Sequence, residues 1–392
     1  MQKVITSYLG VYLDPIGPIV LHDEPKCLFH YRKELQAQAA NLDNSKAKQH
    51  INLCLRYMAR ALRKEIQIYD NTMHQPDQAP GLEYSVLWMA FRPGDLIYHK
   101  HQDGKENVFR LVFMERREMY REQTLTEDYW ALKGEKIICA GHSLKYAYEY
   151  GSIHRYHGYQ SLSRLELYPL KYHEAKDQTM QRLLDRGKKY LSLIGTCYRQ
   201  YDGAAKVFPA GMEDEGDWQT RLVSELDPCL HCSLLSSQIC QRIMFDSGEF
   251  RDNVAPFQEQ MIAFCKPLDM TSDEHLSISD EETLMCDYEL PGFCLSSKQW
   301  GLFDVAKIKS IDFNSTAFDS LVLDSVKKKI ISSLVKEEID RVCGFDDIVK
   351  GKGKGLIFLL HGEPGTGKTL TAGKSLTTSE SLWSLLTHLQ RV

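Results

Sequence analysis

Between residues 30 and 70, apolar side chains return at helical intervals. Leu35, Leu42, Ile51, Leu55, Met58, Leu62 and Ile66 recur with charged residues between them. That spacing gathers them on one face and predicts amphipathic helix packed on a following domain, with a coiled-coil oligomeriser as the alternative. Asp43-Asn44-Ser45 interrupts the pattern. Such residues favour helix starts over helix interiors, so two helices are expected. Asp70 to Gly81 is polar, contains Pro76 and Pro80, and reads as a linker.

From Leu82 to Phe250 the period shortens to that of strands. Leu96-Ile97-Tyr98, Val108 to Phe113, Ile137 to Ala140 and Leu165 to Tyr168 carry the alternation. His101-Gln102-Asp103-Gly104 and Tyr201-Asp202-Gly203 have turn composition. One helix is expected near 176–194, through Met180, Leu183, Leu184 and Leu191. Tyr146, Tyr148, Tyr150, His154, Tyr156, His157 and Tyr159 form an aromatic series. It reads as cross-strand packing, with a stacking surface for a base or peptide as the alternative. Residues 251–287 lose the pattern and gather acidic and serine residues, the composition of a flexible segment. Apolar residues return from Leu290 through Trp300, Phe303, Val305, Ile308 and Ile311. A helix is predicted over 324–343, with Asp324 as N-cap and Gly344 as its stop.

The final apolar run, Leu356 to Leu360, has the length and continuity of a parallel strand covered on both faces. His361-Gly362-Glu363-Pro364-Gly365-Thr366-Gly367-Lys368-Thr369 follows it and matches the phosphate-binding loop G-x-x-x-x-G-K-[ST]. A triphosphate needs many short-range donors, and a chain that curls around it supplies backbone N–H groups. Gly362, Gly365 and Gly367 give the freedom to curl. Glu363, Pro364, Thr366 and Leu370 complete the loop around the phosphates. Lys368 would reach the β- and γ-phosphates, and the Thr369 hydroxyl would join a Mg²⁺ shell. The expected ligands are therefore ATP and Mg²⁺.

The flanks carry a resemblance. Gly344 to Val349 (GFDDIV), the Lys/Gly-rich stretch Gly351 to Gly355, the strand and HGEPGTGKTLTA together resemble the opening of an AAA+ ATPase domain. Trp88 to Tyr98 (WMAFRPGDLIY), Leu290 to Phe293 (LPGF) and Ala317 to Leu323 (AFDSLVL) resemble fungal AAA+ ATPases that carry a long N-terminal region of unknown function. The likeness runs from about residue 80 to 372. It implies that Asp347 and Ile348 lie on the adenine side of the nucleotide. It also implies ATP hydrolysis coupled to remodelling of a protein client, within a homo-oligomeric ring. The likeness fails after Ala372. There the family reads like T-A-E-S-V-A-E, whereas this chain has Gly373, which costs a helix interior about 1 kcal/mol relative to Ala. No apolar strand ending in Asp-Glu, no polar sensor and no arginine finger is found after Lys368, so no catalytic residue is identified. The chain is therefore expected to be truncated just after the loop and to bind ATP weakly. A non-enzymatic interaction protein acting through its β-rich domain is the alternative.

The expected architecture is α+β. An N-terminal helical region and linker (1–80) precedes a β-rich, barrel or sandwich-like domain (81–250). An acidic flexible segment (251–289) leads to a connecting region (290–344) with the helix 324–343. The first strand, P-loop and helix of an incomplete α/β AAA+ domain occupy 345–392.

Composition narrows the partners. With 48 basic against 53 acidic side chains and a net charge of −5, bulk charge does not favour nucleic acid. No apolar run reaches the ~18 residues of a membrane helix, and no secretory signal is visible at the N-terminus, so a cytoplasmic or nuclear protein is expected. The 11 cysteines are irregularly spaced and read as reduced thiols. Cys229-Leu230-His231-Cys232 lacks the second pair of a zinc knuckle.

Overall fold

Three residues after one helix ends at its C-cap Asn41, the start of the next is capped by Asn44. Its side chain accepts hydrogen bonds from the backbone N–H groups of Lys46 (3.0 Å) and Ala47 (3.2 Å), two of the donors a helix start leaves unpaired. The computed structural model describes residues 11–12, 20–21, 24–75, 78–101, 103–121, 124–140, 143–195, 197–207, 235–245, 266–267, 278–294, 297, 299–311, 324–330 and 333. Helices α1 (Lys26–His30), α2 (Arg32–Ala40), α3 (Ser45–Ala61) and α4 (Arg63–Met73) form the N-terminal region. The interruption expected at 43–45 is the junction of α2 and α3. Helix continues to Met73, into the stretch read as a linker. Leu35, Ile51, Met58 and Leu62 are buried in one cluster with Phe29, Trp88 and Phe109, so the periodic apolar face meets the β-rich region.

Ahead of the helices β1 (Val11–Tyr12) pairs with β2 (Val20–Leu21), and after them β3 (Gly81–Glu83), paired with β8 (Tyr159–Ser161), opens the β-rich region. Its main sheet contains β4 (Leu96–Lys100), β5 (Glu106–Arg121), β6 (Thr124–Ala140), β7 (Ser143–His154), β9 (Leu167–Pro169) and β12 (Lys266–Pro267). Their order is β12-β7-β6-β5-β4-β9, antiparallel throughout. The sheet curls. Gly151 of β7 faces Leu167 of β9 so closely that a Cβ at Gly151 would collide with the leucine, although three strands separate β7 from β9 in the order. Glycine is the residue that permits such an approach.

A second antiparallel sheet holds β10 (Cys197–Val207), β11 (Leu235–Phe245), β13 (Glu289–Cys294), β14 (Gln299–Asp304) and β15 (Ile308–Lys309). β10 pairs with β11, β11 with β13, β13 with β14, and β14 again with β10, so four strands form a ring. β13, β14 and β15 therefore belong to the same sheet as β10 and β11. The chain is α+β, as expected, but its second sheet spans the boundaries drawn at 250 and 289. Tyr201-Asp202-Gly203 is not a turn. It lies inside β10, opposite Gln241, Cys240 and Ile239, because a long ladder overrides local turn composition.

Helix α5 (Lys176–Leu191) sits between the two sheets' cores, and α6 (Asp280–Leu284) packs against it. The acidic run read as flexible forms the first turn of α6. Ser279 caps it, and Glu282 returns a bond to the Ser279 N–H at 2.9 Å. Asp280, Glu281 and Glu282 there complement the helix dipole. Tyr190, Tyr201, Phe303 and Ile137 share the second core. Residues 325–330 and 333 are helical, as predicted within 324–343, and 331, 332 and 334–343 lie outside the described residues.

Candidate functional site

A buried polar cluster occupies the concave face of the curled sheet. His99 stands on β4, opposite Asn107 of β5 and Leu167 of β9. His101 follows two residues later, where strand periodicity returns the side chain to the same face. It opens the turn into β5: its N–H donates to the Lys105 carbonyl at 2.8 Å, and Gly104 takes φ +80°. This is the turn expected at 101–104. Glu149 lies on β7 and Lys136 on β6. In a flat sheet, β4 and β7 would be three interstrand spacings apart, about 14 Å. The curl instead brings Glu149 Oε1 to 3.6 Å from His99 Nδ1.

Lys136 Nζ binds Glu149 Oε2 and Asp287 Oδ2, each at 2.9 Å. Asn107 Nδ2 donates to Glu149 Oε1 at 3.3 Å. The His99 and His101 rings lie 3.8 Å apart, and Tyr288 lies 5.4 Å from His101. Asp287 and Tyr288 arrive because the chain after α6 runs beside β6, past the end of its pairing with β5. Ile137 N–H donates to the Met285 carbonyl (2.9 Å) and Asp287 N–H to the Ile137 carbonyl (3.0 Å). Beyond them Glu289 bridges Lys105 (2.6 Å) and Lys206 (3.0 Å), which ties the His101 turn to the second sheet.

Burial sets the charges. For Lys136 it opposes the ammonium, but Asp287 and then Glu149 reverse that and hold the group charged well above the usual lysine value. For Glu149 burial opposes the carboxylate, and Lys136 and His99 more than offset it, so the carboxyl is held well below its usual range. Burial, then the neighbouring His99, pushes His101 down to about 4, so its imidazole is neutral at physiological pH. Three buried atoms of the cluster, His99 Nδ1, His101 Nε2 and Asn107 Oδ1, have no hydrogen-bond partner. Leaving a buried polar atom unsatisfied costs about 1–3 kcal/mol. One donor atom from each of His99, His101 and Glu149 lies within 4.8 Å of the others. These are the residues that could hold a metal ion.

A second buried carboxylate has full partners. Asp128 accepts two bonds from Arg116 (2.8 and 2.7 Å) and one from the Tyr84 hydroxyl (3.0 Å). Arg155 adds an ion pair at 3.4 Å. With every lone pair addressed, this arrangement is a structural tie between β5, β6 and the chain after β3.

The aromatic series divides. Tyr146 donates to Glu282 at 2.7 Å, and Tyr156 donates to the Leu82 carbonyl at 3.0 Å, so both pack inside the molecule. Tyr150 is 55% exposed. Lys133 sits 3.5 Å from the centre of the Tyr148 ring and 5.7 Å from that of Tyr150.

The predicted nucleotide residues, Gly362 to Leu370 with Asp347 and Ile348, lie outside the described residues, as do Cys229 and Cys232. The His99–His101–Glu149 cluster was not read from the sequence. His-x-His on a strand was its only local signal, since Glu149 arrives through the curl.

A family model described as a domain of unknown function (DUF7025) matches residues 74–174. That span contains His99, His101, Lys136 and Glu149, whereas Asp287 and the P-loop fall beyond it. No curated protein and no solved structure matches the chain. Among the described residues, no helix is long and apolar enough to cross a membrane.

Proposed function

We propose that the chain is an ATP-binding protein of the AAA+ kind, with its nucleotide held at Gly362 to Leu370. The observation that carries this reading is the order of residues: a continuous apolar run, Leu356 to Leu360, then three glycines, then Lys368-Thr369. Each element answers a need of a bound triphosphate: a buried strand to anchor the loop, backbone amides free to turn inward, an ammonium for the phosphates and a hydroxyl for Mg²⁺. Asp347 and Ile348 would line the adenine. The β-rich region, barrel-like where its main sheet curls, is the module appended before the nucleotide domain. In a ring of identical subunits such a module would face a protein client.

Nucleotide binding is the activity proposed for these residues, because the glycines, Lys368 and Thr369 are phosphate- and Mg²⁺-holding groups. Calorimetric titration of the full chain with Mg-ATP tests the reading. Saturable binding that disappears in Lys368→Ala supports it, and equal heats from both proteins refute it.

A second reading, docking of a partner without catalysis, is favoured by one feature, the outward Tyr148–Tyr150–Lys133 group. It combines aromatic area with a cation, as docking surfaces do. The double variant Tyr148→Ala/Tyr150→Ala would then lose a partner that the Lys368→Ala protein keeps.

A further inference from the structure

The cluster on the concave sheet face is poorly explained as an ordinary buried ion pair. Lys136 already satisfies Glu149 Oε2 and is shared with Asp287. That leaves Glu149 Oε1 facing His99 Nδ1, with Asn107 Nδ2 3.3 Å from the same oxygen. Two imidazole nitrogens, His99 Nδ1 and His101 Nε2, are buried without a hydrogen-bond partner. Asn107 is 1% exposed and also keeps an unpartnered atom, Oδ1. Unsatisfied atoms this close together mark a place built for something that accepts lone pairs.

We infer that His99, His101 and Glu149 form a binding site for a divalent transition metal of the zinc class. The distances fit. Two ligands of a tetrahedral zinc, each about 2.0–2.1 Å from the ion, stand roughly 3.4 Å apart. His99 Nδ1 and Glu149 Oε1 are already 3.6 Å apart. The third donor lies within 4.8 Å of them, so closure needs a movement of about an ångström at the His101 turn. Two nitrogens and one oxygen suit zinc and its neighbours, not calcium or magnesium, which take oxygen shells. Lys136 then acts outside the ligand shell. It holds Oε2 and aims Oε1, as hydrogen-bonded partners of metal carboxylates do. Lys136 repels a further cation, and the carboxylates of Glu149 and Asp287, both bound to it, offset that charge. A metal here links β4 to β7 across the curl and fixes the turn that Lys105 and Glu289 tie to the second sheet.

The full chain, stripped with a chelator and desalted, is titrated with Zn²⁺ and, separately, with Co²⁺. Equimolar Zn²⁺ retention is expected, with a raised melting temperature. Co²⁺ should give visible bands of a nitrogen–oxygen site without a thiolate charge-transfer band. His99→Gln/His101→Ala should lose more affinity than the roughly 10–100-fold caused by outer-shell changes, with its far-UV circular dichroism unchanged. Cys229→Ser/Cys232→Ser controls for the C-x-x-C and should retain the metal. No retention by the wild-type chain, retention unchanged in the histidine variant, or a thiolate spectrum lost with the cysteines would each overturn the site. If the histidine variant does not fold, the wild-type Co²⁺ spectrum and the cysteine variant still decide.

Discussion

Gly187 of α5 lies directly against the backbone carbonyl of Thr283 in α6, where no Cβ could fit. The contact sets how closely α6 approaches, and α6 leads into the segment that carries Asp287 and Glu289 to the buried cluster. Alanine at an exposed helix position would gain about 1 kcal/mol over glycine. Here the collision is with backbone, which cannot swing aside, and overpacking of this sort costs about 1–3 kcal/mol. Gly187→Ala should therefore lower the urea midpoint. A midpoint that rises would show that the helices are free to separate.

Lys136 is the keystone of the buried charges, 12% exposed and bound to two carboxylates. Lys136→Met leaves Glu149 and Asp287 uncompensated beside each other. Breaking a buried pair in this way costs about 3–5 kcal/mol. The triple variant Lys136→Met/Glu149→Gln/Asp287→Asn removes the charges together and should recover much of the loss. Urea denaturation of both proteins measures the difference. Equal destabilisation of the two would mean that packing, rather than charge, is what the lysine supplies.

Asp128 supplies a pH dependence. The hydrogen bonds from Arg116, opposed by burial and joined by the Tyr84 hydroxyl, hold its carboxyl below the usual range. The folded state therefore releases this proton more readily than the unfolded chain, whose value is about 3.9. The stabilisation is complete above that value and is lost as pH falls through the lower, folded one. The melting temperature should drop on acidification below about pH 4, and Asp128→Asn should show a shallower drop. Arg116→Met, which strands the carboxylate while its own site is partly solvated, should cost about 1–3 kcal/mol at neutral pH. A parallel pH profile for Asp128→Asn would assign the acid sensitivity elsewhere.

The N-terminal helices were legible because their information is local. Leu35, Ile51, Met58 and Leu62 mark a buried face, and Asn44 marks the break by its own chemistry. β4 and the His101 turn were legible for the same reason. What failed depended on distant partners. Tyr201-Asp202-Gly203 looks like a turn until β11 pairs along its whole length. The acidic run at 280–282 looks unstructured until Ser279 caps it and α5 gives it a surface. The cluster was hidden most completely. His99 and Glu149 are far apart in the chain and two strands separate theirs in the sheet, so only the curl brings them together.

Photolabelling with an azido derivative of ATP reports where the nucleotide sits. The full chain is labelled with Mg²⁺ present, digested, and its modified peptide mapped. Label is expected on the peptide that carries Asp347 and Ile348, suppressed by excess ATP and absent from Lys368→Ala. Label confined to residues 74–174, or label that excess ATP and the lysine substitution leave unchanged, would contradict that placement.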